Sequence, residues 1–219
     1  RLDGIEVDYT QYSEKEKDQF FTHKETAKYC FTKCQEVLSQ WGVDLSDYTF
    51  IEPSAGDGSF YSLFPEDRRV GIDIEPKCNG VIQSDFLLWK PTTTKNICVG
   101  NPPFGLRGNL ALKFINHGAK FSDFVCFVLP QLFDSEGKGS CKSRVKGLNL
   151  IHNEIIDSSF YYPNGKSVDV NVVFQIWSKH HKIEEEKIDL SNILKIYSLS
   201  DGGTPGSTRN KKHLYNCDY

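Results

Sequence analysis

Tyr48-Thr-Phe-Ile-Glu-Pro-Ser-Ala-Gly-Asp-Gly-Ser-Phe60 passes from an apolar run through a glycine turn into a second apolar stretch. Tyr48–Pro53 has the β-branched and aromatic character of a strand. Ser59–Leu63 has that of a short helix. Gly56 and Gly58 carry no side chain, so a ligand can approach the backbone between the two elements. The turn is no phosphate-binding P-loop, because no Gly-Lys-Ser/Thr follows it, and it lacks the full G-x-G-x-x-G dinucleotide spacing.

The same succession continues downstream. Arg69-Val-Gly-Ile-Asp73, Gly80-Val-Ile-Gln-Ser-Asp85 and Asn96-Ile-Cys-Val-Gly100 read as three further strands. Leu110–Ala119 has helical periodicity. Asp123–Leu129 is apolar throughout, as a strand covered on both faces should be. Leu150–Ser158 and Val168–Trp177 complete the series, with Asn164-Gly165 as a turn ahead of the last. Upstream, Thr22 and Glu25 have capping-box spacing. They predict a helix from there to about Trp41, with Ala27, Phe31, Val37 and Leu38 facing inward and Gly42 as the stop. Strands alternating with helices imply a doubly wound α/β sheet, in which ligands collect at the carboxyl ends of the strands.

Composition sets the bounds. The 219 residues suit one domain with a substantial core. Residues 1–19 read as a polar N-terminal arm, 20–179 as the catalytic domain and 180–219 as a partly flexible extension containing Asp201–Ser207. No apolar run approaches the roughly 20 residues of a membrane span, and the acidic start is unlike a signal peptide. The seven Cys lack a C-x-x-C pair, which fits reduced thiols in the cytoplasm. Cys30 and Cys34, one helical turn apart, could share a metal but read better as buried helix thiols, and the six His show no metal spacing. The net charge of -3 excludes a generally basic surface but not a local patch. Lys138, Lys142, Arg144 and Lys146 form one candidate patch, and Arg209, Lys211 and Lys212 another; composition alone favours a solvated loop for each.

Chemistry-bearing residues follow the strands. Asp73 can accept hydrogen bonds from ribose hydroxyls. Asp85 can accept from an adenine amino group and Phe86 can offer a ring face. Singly, Asp73 could cap a turn and Phe86 could be core; together they describe a pocket for an adenosine-bearing cofactor without phosphates. Asn101-Pro-Pro-Phe104 is more specific. An aryl amine is a poor nucleophile because its lone pair is delocalised into the ring. An Asn oxygen and the Pro102 carbonyl, oriented by the fixed φ of Pro102 and Pro103, can accept from the NH2 and localise that pair. Phe104 can stack on the target ring. In-line placement against an activated methyl then carries much of the rate.

On these motifs the chain resembles the amino-methyltransferases, most closely the bacterial and phage DNA adenine-N6 methyltransferases, over roughly residues 18–178. The resemblance implies a Rossmann-like seven-stranded sheet with its last strand antiparallel, and S-adenosylmethionine as cofactor. It assigns cofactor contacts to Phe21, Thr22, Glu52, Ser54, Ala55, Gly56, Gly58, Asp73, Asp85 and Phe86, and catalysis to Asn101, Pro102, Pro103 and Phe104. It places a base-stacking aromatic at Tyr162, before Pro163, with Phe160 and Tyr161 competing for the role. Double-stranded DNA is the implied partner, with base flipping. Sequence-specific members carry a sizeable recognition domain, whereas about 40 residues follow the last strand here. Recognition would then come from loops, further sequence, a recognition subunit or a homodimer. The same tetrapeptide serves RNA bases and protein glutamine; cytosine N4 more often takes Ser or Asp at the first position. A non-catalytic binding subunit on the same fold is the alternative from another class.

Overall fold

A computed structural model describes residues 21–137, 139–156, 159–161 and 167–184. The N-terminal arm, Lys138, Tyr162-Pro163, Asn164-Gly165, nearly all of the C-terminal extension and its Arg209, Lys211 and Lys212 lie outside the described residues.

The elements are β1 (Phe21–Thr22), α1 (Lys24–Gln40), β2 (Thr49–Glu52), β3 (Arg69–Asp73), β4 (Ile82–Gln83), β5 (Asn96–Gly100), α2 (Asn109–Gly118), β6 (Phe124–Pro130), β7 (Asn149–Ile156), β8 (Ser159–Tyr161), β9 (Ser167–Asp169) and β10 (Val172–Ser178). Seven strands form one sheet in the order β4-β3-β2-β5-β6-β10-β7. Neighbours from β4 to β6 are parallel, and β10 runs antiparallel to both β6 and β7. This is a doubly wound, Rossmann-like seven-stranded sheet with its last strand antiparallel, as the resemblance implies.

Side chains on a strand alternate between faces, and the central strands here fill two cores. Phe124, Cys126 and Val128 of β6 join Phe50, Phe174 and Ile176 under α1. Val125, Phe127 and Leu129 join Cys98, Val173 and Trp177 under α2. Each large apolar side chain so buried contributes about 1.5–3 kcal/mol. The inward residues predicted for α1, Ala27, Phe31, Val37 and Leu38, are all buried. Cys30 and Cys34 are buried with them, and Cys34 Sγ lies 3.4 Å from Cys126 Sγ across the helix–sheet seam. No helix among the described residues is long and apolar enough to cross a membrane, and no group of three or more metal-ligating side chains occurs among them.

Three local expectations need correction. Thr22 does not cap α1: the N-cap is His23, which makes no side-chain capping bond, and Thr22 instead lies in β1 opposite Phe160 of β8. The run Val168–Trp177 is two strands, with β9 pairing with β8 and β10 entering the main sheet. The resulting small sheet, β1-β8-β9, has no counterpart in the sequence patterning. Finally, the helix read over Ser59–Leu63 is a single 3-10 turn, Tyr61–Leu63.

Candidate active site

A pocket opens where the carboxyl ends of β2, β3 and β5 meet. Ser54 and Gly56 come to it from the turn after β2, Asp73 from the end of β3, Asp85 and Phe86 from the segment after β4, and Asn101–Phe104 from the segment after β5. Phe21 reaches it from β1. Of the residues singled out by sequence, Thr22, Glu52, Ala55 and Gly58 are not among those that line it.

The glycine turn is held to β3. Gly56 N donates to Asp73 Oδ2 at 2.8 Å and Ala55 N to Ile72 O at 2.9 Å. Gly56 has φ +52°, and a Cβ there would stand 3.0 Å from the Phe21 ring. Gly58 has φ +84°, and a Cβ would meet Cys78 Sγ at 2.7 Å. Its missing side chain therefore makes room for Cys78 and not for a ligand. Glu52 is 3% exposed and its Oε2 accepts from Tyr61 N at 2.6 Å, tying the start of the turn to its end. Burial holds its carboxyl well above the ordinary glutamate range, outweighing that hydrogen bond.

Both oxygens of Asp73 are fixed by the backbone, since Oδ1 also accepts from Glu75 N at 2.8 Å. A carboxylate has about four lone-pair sites, so each oxygen keeps capacity for a ligand hydroxyl. Asp85 Oδ1 accepts from Leu87 N at 2.8 Å, which sets that carboxylate in place. Phe86 is only 2% exposed and packs on Phe114 with centroids 5.1 Å apart, so it serves as core and as pocket wall at once. Sequence inspection missed Ile74, Leu87, Leu110 and Phe114, the apolar remainder of the wall. Ile74 had a signal: it directly follows the strand-end acid, and it is left 40% exposed.

Asn101 is gripped at two points. Ser54 Oγ donates to its backbone carbonyl at 2.9 Å, and its own Nδ2 donates to Thr22 Oγ1 at 3.2 Å. Its Oδ1 is buried without a partner, the one such side-chain atom among the described residues. Pro102 is buried, and Phe104 is half-buried against the core under α1. The Phe104 carbonyl accepts from Leu110 N and Ala111 N, both at 3.2 Å. Between them the chain makes a tight turn in which Gly105, Arg107 and Gly108 all have positive φ, and Leu106 projects 82% exposed.

Of the aromatics competing to stack on a target base, Phe160 is 1% exposed in the core, which removes it. Tyr161 donates its hydroxyl to the Asp57 carboxylate and packs on Phe21 and His23, so it braces the glycine turn. Burial and that carboxylate push its phenol up to about 12. Tyr162 lies outside the described residues. In the first basic patch, Lys142 pairs with Glu136, and Arg144 donates to Ser140 O and Asn109 Oδ1, so these cations tie the loop together.

No protein-family model matches the chain. Among curated proteins it is similar to the Type II methyltransferase M.TthHB8I of Thermus thermophilus, with 37% identity over 70 residues, 26% of this chain and 16% of that protein. It is also similar to the Type II methyltransferase M.CvrRI of Paramecium bursaria Chlorella virus XZ-6E, with 27% identity over 115 residues, 45% of this chain and 28% of that one. The matches thus span well under a third of these relatives' lengths. Among solved structures, a candidate RNA methyltransferase from Pyrococcus horikoshii superposes with a TM-score of 0.56 at 15% identity, over 77% of this chain and 90% of that one. The type IIG restriction endonuclease BpuSI does so with 0.52 at 14% identity, over 76% of this chain and 26% of that one. At these identities the structural likeness establishes the fold.

Proposed function

We propose that this chain, which has the Rossmann-like fold of S-adenosylmethionine-dependent methyltransferases, is a catalytic domain that methylates the exocyclic N6 of adenine in DNA. The observation that carries the proposal is the orphaned, buried Oδ1 of Asn101, a residue that lines the pocket. A buried acceptor left unpaired costs about 1–3 kcal/mol, and a substrate that donates an N–H removes that cost.

S-adenosylmethionine is the cofactor that goes with this fold, and when bound it supplies an electrophilic methyl on a sulfonium centre. The residues present fit it. Asp73 and Asp85 hold fixed carboxylates for hydroxyl and amino donors, Gly56 leaves the backbone open, and Ile74, Leu87 and Phe114 supply apolar wall. Lys77, on the same wall, stands 4.0 Å from the carboxylate of Glu75. On the target side, Asn101 Oδ1 and the Pro102 carbonyl accept from the amine and draw its nitrogen towards tetrahedral geometry. Phe104 offers its ring to the base. Placement carries the rate.

Adenine in a duplex must leave the stack to reach such a pocket, so the reading includes base flipping, with Tyr162 as second stacking partner. The similarity to Type II methyltransferases supports DNA as substrate and a restriction-modification setting. Asn rather than Ser or Asp at position 101 supports adenine over cytosine. Sequence recognition is assigned to further sequence or to a recognition subunit, given how little of those relatives the match spans.

The test is transfer of labelled methyl from S-adenosylmethionine to duplex DNA, with RNA and a glutamine-bearing protein in parallel, followed by nucleoside analysis. N6-methyladenine in DNA is the expected product. Label confined to RNA or protein overturns the substrate, and absence of cofactor binding overturns the whole reading.

A further inference from the structure

We infer that Thr22 is a positioning residue for the target amine: its hydroxyl anchors the Asn101 amide by its nitrogen and leaves the amide oxygen unpaired. This rests on the role proposed for Asn101, and it moves Thr22 from the cofactor contacts to the target side.

The two ends of an Asn amide have nearly the same shape and opposite hydrogen-bonding roles. Acceptance from a substrate amine needs the oxygen outward. With the amide turned over, an NH2 would face an NH2, donor against donor. The side chain must therefore be anchored with its nitrogen engaged and its oxygen free. Ser54 cannot do this, because its hydroxyl donates to the Asn101 backbone carbonyl and leaves the side chain free to rotate. Thr22 Oγ1 accepts from Nδ2 at 3.2 Å, and among the described residues no other partner is seen for either end of the amide.

Thr22 is built into place for this. It is 4% exposed, and β1 sets it opposite Phe160, which is 1% exposed in the core. Successive side chains on a strand point to opposite sides. Phe21 accordingly lies over Gly56 and on the pocket wall, while Thr22 lies behind that wall against Asn101. The small sheet thus delivers a hydroxyl to the back of the candidate catalytic side chain.

The experiment compares Thr22→Val, which keeps size and β-branching but cannot accept, with Thr22→Ser, which restores the hydroxyl. Three quantities are measured on the full chain: affinity for S-adenosylmethionine by calorimetry, the single-turnover rate of methyl transfer, and the Asn101 side-chain NH2 resonances, assigned by their loss in Asn101→Ala. In Thr22→Val the cofactor affinity should be unchanged. The transfer rate should fall roughly ten- to a hundred-fold, the usual effect of losing an orienting partner. The Asn101 NH2 protons should move upfield and exchange faster, and Thr22→Ser should restore both. Cofactor affinity falling in step with the rate would overturn the inference, as would unmoved resonances. If wild-type protein transfers no methyl to any substrate, the failure lies with the proposed function, and the resonance and affinity measurements still decide the role of Thr22.

Discussion

Glu52 ends the strand that leads into the glycine turn, 3% exposed, with its carboxylate accepting from Tyr61 N. Burial raises its folded pKa well above the ordinary value of 4.5. Between 4.5 and the raised value the folded state therefore holds a proton that the unfolded state has released. Stability falls as pH rises through that window, because the unfolded state binds fewer protons there. Glu52→Gln keeps an oxygen for Tyr61 N and removes the ionisation. It should flatten the pH dependence: no more stable than wild type near pH 4, and more stable near pH 8, by urea midpoints across about pH 4–8. A difference that stays constant as pH rises would show that Glu52 is ionised at little cost. At this scale sequence pattern misleads where a side chain has two possible employers. Thr22 and Glu25 have the spacing of a capping box, yet the Thr22 hydroxyl is engaged by Asn101, 79 positions away. Nothing local distinguishes the two uses.

The glycine turn shows what each element asks of its residues. Gly56 and Gly58 look equivalent in sequence, but one faces the Phe21 ring on the pocket wall and the other Cys78 behind it. Gly58→Ala would set a Cβ 2.7 Å from Cys78 Sγ at φ +84°. Left-handed strain and overpacking together should cost about 2 kcal/mol or more, read from chemical denaturation. A loss within experimental error would mean that the turn relaxes freely. The long strands and both α-helices were legible because their burial pattern repeats over many residues, as in β6, where six consecutive side chains are buried and serve two cores. The two-residue β1 and three-residue β8 and β9 carry no period to detect. Val168–Trp177 looks continuous because the chain stays extended on either side of the break, and only pairing partners reveal two sheets. The pocket acids and Asn101 were legible because they follow strands directly. The apolar wall was not, since Leu110 and Phe114 of α2 resemble any inward helix residues.

Across the whole molecule, the sheet order separates the two groups to which the proposed function gives different tasks. Asp73 stands at the end of β3, on one side of β2, and Asn101 follows β5, on the other. β5 is buried throughout and hydrogen-bonded on both sides, so the spacing between the two groups is set by the core and not by the loops. Cofactor binding and methyl transfer should accordingly be separable by mutation. Asp73→Ala removes acceptors from Gly56 N and Glu75 N, so its unliganded stability should fall by about 1–3 kcal/mol. The quantity to compare is therefore the stabilisation added by ligand, not the melting temperature alone. A ligand that binds only the folded state at about 100 times its Kd adds about 2.7 kcal/mol. Wild type and Asn101→Ala should both show that increment with S-adenosylmethionine, while Asn101→Ala transfers no methyl. Asp73→Ala should lose most of the increment at the same concentration and retain transfer only at much higher cofactor. If Asn101→Ala lost the increment as well, its amide would belong to the cofactor site, and the division of labour between β3 and β5 would fail. If Asp73→Ala kept it, the β3 carboxylate would be holding the glycine turn in shape and no more.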